Sequence, residues 1–566
     1  MDFSDSANSK KTGLNSFILL KQYEAIARTI ESVRLMTVFI YGFARVNIGI
    51  IFIIPSNFYS LVAIRKKYFK IFNDFFMRYL LTILILTVTV LLFTSSKPQN
   101  IPYSERYRPQ FHFTPEKNWQ NDPNGLVFYK GEYHMFYQYN PRGNEWGYMH
   151  WGHAISRDLV HWEHLPVAIY PDENSDDKVK CTAFSGSAIV DNNNMLGKQK
   201  GDEKTLIAFY TSQYCGQRIA YSTDKGRTWE KYEGNPVIPF DETDDARDPK
   251  VLWHEPTQKW VMALYRKNNE DERSKGVSFY VSENLIDWEW KSHVHGFYEC
   301  PDLIKLPVTN RPGEQKWVLF DGDGSYLIGN FNGEEFIPET AKMKSDFGKN
   351  YYATQTWSNI PETDGRTIQI AWMKDGQFPE MPFNGQMTFP SQLSLTQFSF
   401  GYKLIRKPVA EIEKLHNKQY KWENKILIPG INENILKKIK DDCLHIIGEF
   451  DLKTSDNFGF MIRNSKKTPG AEILYNVKRG TLSVLGLTVP LMPVDNKISL
   501  EILVDRASIE IYANGGQTVI SNCFTPDEGS NELSLFTTGG ELGVVKLDVF
   551  SMHSIWNTSS NQPKKK

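Results

Sequence analysis

From Ile101 onward, hydrophobic residues gather in short β-type runs such as EYHMFYQY (132–139) and KWVMALY (259–265). The runs are rich in aromatic and β-branched residues and bounded by turn formers, which predicts short strands. Long runs with helical periodicity are scarce. After Lys407-Pro408 a polar stretch, Val409–Lys421, reads as a short helix within a linker. Alternation resumes near Leu444 with LHIIGEFDL, FGFMIRN, ISLEILVDRASIEIYAN and GVVKLDVF. This second group predicts a separate antiparallel β-sandwich.

Three segments repeat within the first group: Ser156-x-Asp158…Trp162, Ser222-x-Asp224…Trp229 and Ser282-x-Asn284…Trp288, at spacings of 66 and 60. Each places a turn-forming Asp or Asn before a Trp able to wedge between neighbouring sheets. A period of about 50–65 residues built from four short strands fits a propeller blade, and residues 101–405 hold about five. Three similar hairpin turns in an unrelated sandwich remain the alternative. The expected chain is all-β: a five-bladed propeller over 101–408, a linker over 409–443, a β-sandwich over 444–556 and a polar tail over 557–566.

Residues 1–100 read as an apolar, basic leader. Residues 1–78 carry eleven Lys/Arg against five Asp/Glu, net +6 in a chain whose total is −1. Arg78 precedes the uncharged run Tyr79–Ser96, 18 residues long. At about 1.5 Å per residue it barely crosses a hydrocarbon core of about 30 Å. Two readings stand: a membrane anchor, or a cleaved signal peptide with translation starting at Met77. Both export the body, to the cell surface, the periplasm or the medium. The balanced total, 65 basic against 66 acidic residues among 566, argues against a nucleic-acid partner. Five scattered cysteines (Cys181, Cys215, Cys300, Cys443, Cys523) show no CxxC or Cys/His spacing, so neither a disulfide framework nor a zinc site is expected. His150, His153, His161 and His164 fit no ligand spacing either and read as structural or surface residues. No metal and no cofactor is expected, and oligomeric state is not legible.

The chemistry lies in four fragments: Asp122 in NWQNDPNG, Ser185 in FSGS, Asp248 in ARDPK and Glu299 in YECPD. Their separations of 63, 63 and 51 follow the blade period. Equivalent points of successive blades face one axis, so these side chains are expected at one mouth of the central channel. Carboxyls gathered there raise one another's proton affinity, and a glycosidase needs one ionised and one protonated carboxyl at the same pH. Taken singly, NDPNG is also a good turn sequence, and Arg-Asp-Pro a salt-bridged turn. Of the surrounding aromatics, Trp119, Phe136, Tyr137, Trp146, Trp151, Phe184 and Trp372, a few at the mouth suit stacking on a sugar ring, while most propeller aromatics are core.

Together, WQNDPNG (119–125), YQYNP (137–141), EWGYMHWGHA (145–154), FSGS (184–187), RDP (247–249), EC (299–300) and LVDRASIEIYANGG (503–516) resemble glycoside hydrolase family 32, the β-fructofuranosidases. The resemblance runs from about Tyr107 to Trp556. It implies a five-bladed propeller followed by a β-sandwich, Asp122 as nucleophile, Glu299 as acid/base and Asp248 as transition-state stabiliser. It implies a fructosyl pocket of Asn121, Gln138, Trp146, Phe184, Ser185, Arg247 and Trp372. The implied reaction is retaining release of terminal β-D-fructose from levan, inulin or sucrose, with a gap of about 5–5.5 Å between the Asp122 and Glu299 carboxyls. Arg247 and Cys300, beside two of the acids, are expected to tune their proton affinities. The run from PRGNEWGYMHWGHA to SRDLVHWEHLPVAI is more similar to secreted levanases and exo-inulinases than to cytoplasmic sucrose-phosphate hydrolases. An invertase acting mainly on sucrose, a fructosyltransferase and a non-catalytic fructan-binding protein are the alternatives. A sialidase shares the Ser222–Trp229 turn but needs an arginine clamp not seen here.

Overall fold

The computed structural model describes residues 77, 103–172, 181–430, 434–465 and 469–556. The expectations for the leader and the tail lie outside them. Five antiparallel sheets follow one another along residues 118–408. Their first strands are Asn118–Tyr129 (blade I), Ala183–Asp191 (blade II), Arg247–His254 (blade III), Asp302–Pro307 (blade IV) and Tyr352–Thr356 (blade V). First strands of neighbouring blades pack together around a common axis. A two-residue strand between the later strands of blade V, Phe383–Asn384, pairs in parallel with Asn118 and Trp119 of blade I and closes the ring.

The repeated Ser-x-Asp/Asn…Trp segments form the same turn in blades I, II and III. The serine hydroxyl bonds the side chain two residues on, at 3.3, 2.7 and 3.2 Å. Each Trp indole donates to the backbone oxygen three residues before it, at 3.1, 3.1 and 3.0 Å. The turn thus satisfies its own polar groups and leaves the indole ring for packing between blades.

Strand edges near the mouth of the channel are irregular. Pairing slips between Gln120 and Pro123, between Ala183 and Gly186, opposite Arg247, and between Tyr352 and Gln355. NDPNG is therefore a bulged strand and not a turn. Pro123, unable to donate to a ladder, sits at the bulge. Gly125 (φ +55°) is required there, because a Cβ would lie 2.7 Å from both Phe136 and Trp151. Bulges re-aim side chains, and here four of the five first strands carry one at the same end.

Below that end, polar side chains tie the inner strands across the axis. Lys250 Nζ meets Asp302 at 2.8 Å and donates to Thr356 at 3.1 Å, and the Thr356 amide donates to Asp302 at 2.7 Å. Besides each other, Lys250 and Asp302 each have a hydrogen bond to Thr356, which offsets part of the cost of burying the charge pair.

The second body stacks a six-stranded sheet on a five-stranded one around a core that includes Phe450, Phe458, Phe460, Ile502 and Val549. The expected linker over 409–443 is corrected here. After a 3-10 turn, Ala410–Leu415, strand His416–Leu427 pairs with Leu542–Met552 and forms the edge of the larger sheet. Eight of its twelve residues are exposed, and Tyr420, Trp422 and Leu427 alone join the sandwich core, so the polar edge strand carried little hydrophobic alternation to betray it. The two bodies share a core in which Val409, Ile412, Leu503 and Tyr512 pack with Phe111, Trp357 and Phe389.

The cysteine reading is also corrected. Cys181 and Cys215 form a disulfide, Cα atoms 5.4 Å apart. Blade II brings the start of its first strand beside the turn between its second and third strands, a proximity that the sequence separation of 34 hides.

Candidate active site

The bulged strand ends and the Tyr298–Cys300 segment place Asp122, Ser185, Asp248, Glu299 and Tyr352 at one mouth of the channel, one from each blade. Asp122 accepts from the Ser185 hydroxyl at 2.6 Å and from the Asn121 amide at 3.1 Å. Asn121 is itself held by the Trp119 indole at 2.7 Å. Asp248 accepts from the Cys300 amide at 3.0 Å, and its own amide donates to Thr211 at 2.9 Å. The Cys300 thiol lies between the two aspartates, 3.6 Å from Asp122 and 3.5 Å from Asp248. Glu299 is gripped from both sides: one oxygen accepts from Arg247, the other from the Tyr352 hydroxyl.

The backbone at three of these positions is unusual. Asp248 (φ +63°), Glu299 (φ +49°) and Cys300 (φ +45°) all lie in the left-handed region. Such residues cost of order 1–3 kcal/mol each and persist where the surroundings over-determine them. Gly322 leaves the room needed, since a Cβ there would sit 2.9 Å from the Tyr298 carbonyl and 3.3 Å from Glu299 Cγ.

Electrostatics follow from burial and crowding. Asp248 is pushed up to about 7, first by burial, against the pull of Arg247, and further by the charges of Glu299 and Asp122. Asp122 is also raised by burial and by Glu299, although the Ser185, Asn121 and Cys300 hydrogen bonds oppose this. Burial and the surrounding carboxylates hold the Cys300 thiol well above its usual range, so it stays protonated and able to donate. Burial and Glu299 likewise keep the Tyr352 hydroxyl protonated.

The remaining expected pocket residues divide. Trp372 is buried, edge-on to Trp119 at 5.9 Å, and its indole nitrogen has no hydrogen-bond partner among the described residues. Trp146 is 57% exposed and meets Phe184 at 6.0 Å on the rim. Gln138 is buried and spends its amide on the Ala183 carbonyl. Phe136, Tyr137 and Trp151 are core. His153 stacks on Phe136 and bonds His134, His150 bonds the Tyr148 carbonyl, His161 pairs with Asp158, and half-buried His164 packs against Phe113. Sequence reasoning missed Tyr352. The signal was present, since Tyr352 follows Glu299 by 53 residues, one more blade period.

A propeller mouth with three converging carboxyl groups has the architecture of a glycosidase. Residues 112–408 match the glycosyl hydrolases family 32 N-terminal domain, and residues 411–551 match the family 32 C-terminal domain. The chain is 40% identical over 522 residues to a levanase of Bacillus subtilis, covering 84% of this chain and 75% of the relative. It is 31% identical over 532 residues to an extracellular exo-inulinase of Aspergillus awamori, covering 80% and 96%. The crystal structure of an exo-inulinase from Aspergillus awamori superimposes with a TM-score of 0.73 at 30% identity, over 80% of this chain and all of that one. This chain belongs to glycosyl hydrolase family 32 and is a glycosidase, a five-bladed propeller followed by a β-sandwich.

Proposed function

We propose that this enzyme releases terminal β-D-fructose from fructans, levan and inulin, and from sucrose, by double displacement with retention. The observation that carries the reading is the junction at Cys300, which ties Asp122 and Asp248 together beside an Arg247-gripped Glu299. Asp122 attacks the anomeric carbon while Glu299 protonates the glycosidic oxygen, and the leaving sugar departs. Glu299 then takes a proton from water, whose oxygen displaces Asp122 and frees fructose. Asp248 hydrogen-bonds the fructosyl hydroxyls as positive charge develops on the ring. Its raised proton affinity keeps the three acids from ionising together. Asn121, Gln138, Trp146, Phe184, Ser185 and Trp372 shape the pocket. The levanase and exo-inulinase relatives support fructans as substrates.

Export is part of the same proposal. The Cys181–Cys215 disulfide supports an oxidising compartment, as does the extracellular exo-inulinase relative. The leader, as signal peptide or membrane anchor, would direct it. Among the described residues no helix is long and apolar enough to cross a membrane.

The test is incubation of the purified protein with levan, inulin and sucrose, with Asp122→Asn as control. Free fructose from the first time point, absent in the variant, is expected. Oligosaccharides as first products from levan would replace exo with endo action, and no release from any substrate would sink the reading.

A further inference from the structure

Beside the catalytic mouth, between blades II and III, lies a cleft of about 320 Å³. Phe184, Thr211 and Arg247 line it and also belong to the surroundings of the site. Arg247 is the hinge of the geometry. One end of its guanidinium grips Glu299, and another reaches Asp245 on the cleft side. The acid that protonates the leaving oxygen marks the side on which the leaving sugar lies. A chain departing past Glu299 and Arg247 therefore enters this cleft.

The far wall carries two large apolar rings in water. Tyr214 is 61% exposed and Phe240 42%, and their rings meet edge to face at 5.8 Å. Their backbone is braced. The disulfide through Cys215 ties the Tyr214 turn to Cys181, and Cys181 N donates to the Gln213 carbonyl at 3.0 Å. Gly216 lets the Phe240 segment pass close behind, since a Cβ there would stand 2.3 Å from the Ile238 carbonyl and 2.8 Å from the Phe240 nitrogen. Gln217 N then donates to Ile238 O at 2.8 Å. A braced turn that displays two rings instead of burying them suits a stacking platform. Asp241 and Asp245 beside it supply acceptors for hydroxyls and disfavour anionic ligands.

We propose that this cleft is an outer subsite for a neutral polyhydroxy chain, taking the fructosyl units beyond the one next to the scissile bond, with Tyr214 and Phe240 as its stacking surface. The inference rests on the β-fructosidase reading and makes the enzyme selective for fructan polymers over sucrose. Sucrose, with a single sugar on the leaving side, does not reach the platform.

Initial rates on sucrose, inulin and levan decide it for the wild type, Tyr214→Ala, Phe240→Ala and the double variant. The expected result is a KM for inulin and levan raised about three- to tenfold per ring removed, with kcat/KM for sucrose within about twofold of wild type. Tyr214→Phe, which keeps the ring, retains the wild-type KM on polymers, and this separates stacking from a folding defect. Parallel losses on sucrose and polymers, or no change on polymers, would overturn the subsite while leaving the β-fructosidase reading intact. A wild type inactive on sucrose and fructans alike would remove that reading and this inference with it.

Discussion

Arg247 donates two hydrogen bonds, at 2.8 and 3.1 Å, to a single oxygen of Glu299. The other Glu299 oxygen faces the Tyr352 hydroxyl. The carboxyl is thereby fixed in one orientation at the mouth of the channel.

Replacing Arg247 by Met removes that grip and a cation whose field lowers the proton affinity of Asp248. Loss of kcat/KM by roughly 10²–10³-fold is expected, the scale seen when one preorganised donor is lost. The Asp248 ionisation moves further above 7 in the same variant, which a pH profile of kcat/KM reads directly. Arg247→Lys keeps the charge but not the two-pronged geometry, so it restores the pH profile better than the rate.

Stereochemistry tests the chemical roles. The fructose first formed is expected to be the β-anomer, seen by NMR before mutarotation, and an α-anomer would rule out double displacement. Glu299→Gln keeps the shape of the grip but cannot supply a proton, and a fall in kcat of about 10²–10⁴-fold follows.

Asp248 links the site to stability. Its folded-state affinity, about 7, lies above the ordinary value of 3.8. The neutral buried acid therefore favours the fold fully below pH 3.8, and this contribution is lost as pH rises through about 7. Asp248→Asn lacks that dependence. Its Tm relative to wild type is expected to rise steadily between pH 4 and 7 while its activity falls. A constant difference in Tm across that range would contradict the assignment.

A second titrating group sits where the propeller meets the sandwich. Buried His112 lies 2.8 Å from both Asp505 and Glu510. Burial alone would lower its affinity for a proton, but the hydrogen bonds and charges of the two acids win and raise it to about 9. Its stabilising contribution is complete below pH 6.5 and disappears as pH rises through about 9. The acids, held below their usual values, lose theirs only in acid. Wild-type Tm is expected to decline from pH 6.5 to 9. His112→Gln should cost about 3–5 kcal/mol near neutrality by leaving buried carboxylates uncompensated, and it should flatten that decline.

The clamp also explains the LVDRASIEIYANGG motif. Asp505 accepts from the backbone of Gln110, Phe111 and His112, and Glu510 accepts from Phe389. Its acids hold the junction between the bodies.

The sequence by itself determined most of the strands, the blade repeat and the gathering of three carboxyl groups at one mouth. Alternation and turn residues act locally, and a fixed period puts equivalent residues at equivalent ends of strands around one axis. Tertiary structure decided the rest. Strand His416–Leu427 is a polar edge, recognisable only by its partner Leu542–Met552. The Cys181–Cys215 bond depends on the path of blade II. The left-handed backbone at Asp248, Glu299 and Cys300 and the thiol set between two aspartates arise because bulged strands and loops from separate blades meet at one axis. Crowding at that meeting point sets the proton affinities, and no stretch of chain contains it alone.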